Sequence, residues 1–160
     1  VLSVYSLLIV ALALLACGVA LPERRARPIP RWRVAVAPLL VAAAALILLW
    51  LPPHNDLREP EVWLMGLPFA AVGVGRGAFI GLQVDHRQGT LALQRAADGF
   101  WLCVAAAILV LADVVAEPFG RVGSGYVQAV ELALVIVACF LVGRNAALLV
   151  RSRDAPQHDL

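Results

Sequence analysis

Not one of the 160 residues is lysine; all thirteen basic side chains are arginine. Without a lysine amine there is nothing to form a Schiff base with retinal or another carbonyl group. Charged residues are only 15% of the chain and aromatic residues 7%, well short of the roughly 25% charge that solvates a soluble domain. Cysteine is confined to Cys17, Cys103 and Cys139, with no C-x-x-C pair. His54, His86 and His158 fall between the apolar segments, so no spanning helix offers the axial ligand of a b-type haem. There is no H-E-x-x-H, no Ser-His-Asp arrangement and no phosphate loop. The G-V-G-R-G run at 73–77 lies inside an apolar segment, where it serves packing rather than phosphate binding. The expectation is a protein with no cofactor, no metal and no nucleic-acid partner, and with no catalytic residues to name.

What is present is apolar. Hydrophobic residues make up 62% of the chain, against about 45–50% in soluble domains, and the mean hydropathy is +0.86. Five runs, 1–21, 34–51, 62–81, 100–116 and 126–143, each approach the roughly 20 residues that cross a bilayer. The fold class predicted is all-α and integral to the membrane: a five-transmembrane-helix bundle forming one domain over 1–150, with a flexible polar tail at 151–160. Leu14-Leu15-Ala16-Cys17 has the outline of a lipoprotein cleavage site without its basic flank, and is read here as helix interior.

Arginine sets the orientation. Five arginines lie in PERRARPIPRWR after the first run, three from Arg76 to Arg95 and three from Arg144 to Arg153, leaving Arg58 and Arg121 on the other side. By the positive-inside rule the N-terminus is outside and the C-terminus inside. Arginine without lysine points to a GC-rich bacterial genome, hence to a bacterial inner membrane. Pro22, Pro28 and Pro30 break the first loop, and Pro38 falls in the first turn of the second helix. Between the third and fourth helices the period changes: Leu82 and Val84 alternate with Gln83 and Asp85, then Leu91 and Leu93 with Ala92 and Gln94, about Gly89. That predicts a short amphipathic cytoplasmic hairpin, with an interfacial helix as the competing reading.

The third run, VWLMGLPFAAVGVGRGAFIG, carries Gly73, Gly77 and Gly81 at intervals of four. On a helix they form a groove that lets backbones touch, the small-xxx-small device of membrane helices. Arg76 sits beside it. An arginine in hydrocarbon costs about 2.5 kcal/mol or more, so it snorkels, pairs with an acid such as Asp98, or contacts a lipid headgroup or small anion. Asp113 and Glu131 lie at similar depths near the outer ends of two adjacent helices joined by a short turn, and are the candidate proton or ion site. The bland alternative is that both are solvated or paired, with Arg121 available to either. The three cysteines, one on each of three helices, pack as small hydrophobes or, converging, form a thiol relay.

The Arg/Pro-rich loop after the first helix, a second helix closed by Trp50 and Pro52, a glycine-rich third helix, and Asp85 to Gly89 leading into Leu91-Ala92-Leu93-Gln94-Arg95 together resemble the CcdC-like family. These are small bacterial polytopic membrane proteins named for gene association with cytochrome c biogenesis. The resemblance covers most of the chain; where the family uses lysine this sequence uses arginine or apolar residues. It implies a topology only; the role expected beside it is that of a non-catalytic accessory or assembly subunit in the bilayer, with another membrane protein or a second copy as partner. A proton- or ion-coupled transporter built on Asp113 and Glu131 is the alternative, and a membrane thiol-redox protein a third.

Overall fold

The computed structural model describes residues 4–25, 27–50, 60–85, 87–94, 97–116 and 124–155. Five helices, α1 (Val4–Arg24), α2 (Arg31–Trp50), α3 (Pro60–Phe79), α4 (Asp98–Ala116) and α5 (Ser124–Asp154), are joined by three strands, β1 (Ile29–Pro30), β2 (Gly81–Asp85) and β3 (Thr90–Gln94). α1, α2, α4 and most of α5 are long and apolar enough to cross a membrane; the apolar part of α3, Leu64–Phe79, is shorter.

Four helices make the main core. α1 and α5 each lie between α2 and α4, and the centre is filled by small side chains, among them Ala13, Ala16, Ala44, Ala106 and Ala138, around Ile9, Val41, Val110 and Leu141. Alanine at the contact brings backbones close enough for van der Waals attraction, the main cohesive force where no water drives association. The outward positions are apolar too: Leu8, Leu14, Leu39 and Ile108 are exposed, as suits lipid rather than water.

None of the described side chains of α3 joins that core. α3 packs instead along the other side of α5, through glycine on both helices. A Cβ at Gly73 would strike the Phe140 carbonyl, one at Gly77 the Arg144 carbonyl and, at 2.9 Å, the Ala147 Cβ, and one at Gly143 the Ala70 carbonyl. Gly66 lies against Cys139 in the same seam, where its Cβ would come within 2.8 Å of Sγ. Gly81 is outside it: α3 ends at Phe79, and Gly81 opens β2 opposite Gln94. The four-residue interval continues past the end of the helix that would give it meaning.

The strands form one antiparallel sheet in the order β1-β3-β2. Leu82 pairs with Leu93, Val84 with Leu91, and Ile29 with Leu91 from the other edge. Asp85 Oδ1 accepts the N–H groups of Arg87 and Gln88 at 2.8 and 3.2 Å, and Gly89, at φ +65, turns the chain where a side chain would be strained. Ile29, Val34, Ile80, Val84, Leu91, Leu93 and Leu148 form a second hydrophobic cluster beneath it.

That cluster explains α5. Its 31 residues span about 46 Å at 1.5 Å per residue, beyond the roughly 30 Å of hydrocarbon; the excess is the segment that carries Leu148 into the sheet. Thus α5 does not end at Gly143, and the segment expected to be loose from 151 is helical to Asp154, with Ser152 buried. Arg151 Nη1 donates to the carbonyls of Gly77 (2.8 Å) and Ile80 (2.9 Å), satisfying the orphan carbonyls at the end of α3. The first loop is shorter than its prolines suggest. α1 runs through Pro22 to Arg24, and α2 starts at Arg31, whose N–H is accepted by the Gly89 carbonyl at 3.2 Å. Pro38 therefore lies two turns inside α2, buried against neighbours, a setting in which membrane helices tolerate proline.

Candidate functional site

The most deeply buried polar group in the described structure is Arg144, with no exposed surface. It sits on α5 between the helical core and the sheet cluster. Its Nη2 donates to Glu23 Oε2 at 3.1 Å and to Asp98 Oδ1 at 2.9 Å, and its Nη1 to Asn145 Oδ1 at 2.6 Å. Asp98 receives a second arginine: Arg76 Nε donates to Oδ2 at 2.9 Å. Two guanidinium groups and two carboxylates, drawn from α1, α3, α4 and α5, thus balance in one cluster.

Local sequence places each member. Glu23 is the penultimate residue of α1 and buried. Asp98 is the first residue of α4, where a carboxylate accepts a helix N–H, here that of Gly99 at 3.1 Å. Gly99 leaves the space: a Cβ there would fall on Glu23 Oε2 and lie 2.8 Å from Arg144 Nη1. Arg144 follows Gly143, so the backbone contact with α3 and the buried ion pairs occur within one turn of α5. Charge taken from water at such depth persists only when paired and hydrogen-bonded. The cluster ties α1, α3, α4 and α5 together at one point.

The residues singled out from sequence are distributed differently. Gly73, Gly77 and Arg76 come together along α3, with Arg76 turned to Asp98 and its side chain 46% exposed. Glu131 is buried on α5 at the opposite end from the sheet, lining a cleft of about 480 Å³ whose other wall is α3, with Glu61 and Gln128 at its polar positions. Asp113 is half-buried on α4, and the cleft is lined from α3 and α5. Cys103 belongs to the four-helix core with Cys17 against it, while Cys139 lies in the α3 seam; all three are free thiols. Among the described residues no three His, Cys, Asp or Glu side chains gather as a metal site. His54, His86 and His158, and the arginines Arg58, Arg95 and Arg121, lie outside the described residues.

Arg144, Glu23 and Asn145 were not apparent as a site. The available signals were one acid, Glu23, among five arginines, and an Arg-Asn pair set between apolar runs. Counting arginines by side treats Arg144 as loop charge, because only the sheet's cover allows a helix to continue through it. Comparison with known protein families, with curated proteins and with solved structures returns no match to this chain.

Proposed function

We propose that this chain is a non-catalytic, multi-pass membrane protein of the CcdC-like type that serves as an accessory or assembly subunit of a membrane complex. In this reading all five helices cross a bacterial inner membrane, with the N-terminus outside and the C-terminus and sheet in the cytoplasm. Its support is that the most buried charge, Arg144, is spent on other side chains of the bundle, Glu23 and Asp98. An enzyme or carrier keeps such a group facing its substrate. The partner is another membrane protein or a second copy.

Purification in mild detergent, with identification of co-eluting chains, tests the role. A membrane polypeptide retained in fixed stoichiometry, with no ion flux in proteoliposomes, is the expected result. Reporter fusions test the orientation: a C-terminal fluorescent protein should be bright and a C-terminal alkaline phosphatase inactive. The second reading, a proton- or ion-coupled carrier, draws on Glu131 beside its cleft. Flux that disappears in Glu131→Gln would establish it and remove the first.

A further inference from the structure

At the sheet end of the bundle two arginines lie over aromatic rings at cation–π distance. Arg24, the last residue of α1, has its guanidinium carbon 5.8 Å from the Phe100 ring centroid and 5.6 Å from that of Trp101; those two rings meet edge to face at 5.3 Å. Arg33, in the first turn of α2, lies 5.3 Å over Trp32. Both indoles remain largely exposed, Trp32 at 56% and Trp101 at 54%.

A cation–π contact uses none of the N–H donors of a guanidinium, which stay available to an anion. Arg33 Nε is in addition buried with no hydrogen-bond partner among the described residues. Three of the described acids at this end are already engaged. Glu23 and Asp98 hold Arg144, Asp98 also holds Arg76, and Asp85 is committed to backbone N–H groups. Of the described acids here only Asp154 is exposed, against Arg24, Arg25, Arg27, Arg87 and Arg153. Among the described residues, exposed arginines at this end therefore outnumber exposed acids, at the level where indole rings settle between acyl chains and headgroups.

We propose that the two arginine–tryptophan pairs, Arg24 with Trp101 and Arg33 with Trp32, bind the headgroups of anionic phospholipids. The guanidinium edges take the phosphate while the indoles lie along the first carbons of the acyl chains. This places the anion site at Arg24 and Arg33 rather than at Arg76, whose Nε is committed to Asp98. The assignment rests on the membrane-spanning reading of the helices.

Native mass spectrometry of the purified protein, titrated with phosphatidylglycerol or phosphatidylcholine, tests it. Wild type should retain phosphatidylglycerol selectively. Arg24→Gln with Arg33→Gln should weaken that retention about thirtyfold, from two surface arginines of ordinary strength, and leave phosphatidylcholine unchanged. Arg24→Lys with Arg33→Lys keeps the charge and loses the planar guanidinium; it should fall between, and it carries the test if the glutamine variant does not fold. Arg153→Gln, which removes one exposed arginine of this end away from the aromatic rings, should lose at most a fewfold, well short of the double variant. Equal retention of the two lipids by wild type, an Arg153→Gln loss equal to that of the double variant, or displacement of phosphatidylglycerol by millimolar inorganic phosphate would each overturn the assignment. Failure of the membrane reading would show separately, as wild type that stays dispersed without detergent.

Discussion

Arg144 and Glu131 occupy the same helix and are both almost completely buried, yet their surroundings differ in kind. Arg144 is enclosed by carboxylates from α1 and α4 and by the Asn145 amide. Glu131 lies beside a cleft between α3 and α5. A buried charge closed on its partners fixes how helices meet, and removing one member strands the others in low dielectric. A buried carboxylate beside a cleft has open volume on one side, so replacing it disturbs fewer packed neighbours. The contrast divides α5 into a fastening half at the sheet end and a half where a ligand could be admitted.

The largest effect should come from the seam that lies along the fastening half. Gly77→Leu must push α3 from the Arg144 carbonyl and the Ala147 methyl, and we predict a loss above about 3 kcal/mol or failure to fold, since a packed contact with backbone cannot yield. Ala71→Leu is the control because Ala71 is exposed; Ala70 is unsuitable, since its backbone lies against Gly143. Size-exclusion chromatography after a heat step reads both. Next comes Arg144→Met, which leaves the buried Glu23 without its guanidinium, beside an Asp98 that keeps only Arg76, and should cost about 3 kcal/mol. Glu131→Gln, by contrast, should stay within about 1 kcal/mol. Thermal melts in detergent compare the two, and equal losses would erase the distinction between the halves. Smallest is Arg76→Ala. Its pair with Asp98 is half exposed, so a melt should shift by about 1 kcal/mol or less.

How much of this was legible depended on whether the signal was local. Apolar length revealed five helices, and glycine at 73 and 77 revealed a contact face, because each is a property of one segment. The same interval misled at Gly81, where Ile80 and Val84 join the sheet cluster and end the helix. β1 escaped notice because two residues, Ile29 and Pro30, carry no periodicity; they form a strand only because β3 offers an edge. The Arg144 cluster is non-local in the strongest sense: Glu23 and Arg144 are 121 positions apart, and nothing near either residue names the other. Asp113 and Glu131 drew attention instead because each is a single acid in an apolar run, which indicates depth but not surroundings.

The central claim is that the Arg144 cluster is a charge-balanced fastening whose members need one another more than the fold needs any of them. The direct test is the thermal stability of Arg144→Met beside that of Arg144→Met combined with Glu23→Met and Asp98→Asn. If the charges are structural partners, the combined variant melts well above the single one, because no unpaired carboxylate remains in the interior. A combined variant that melts at or below the single one would contradict the account, and would mean that Glu23 and Asp98 stabilise the bundle through contacts other than Arg144.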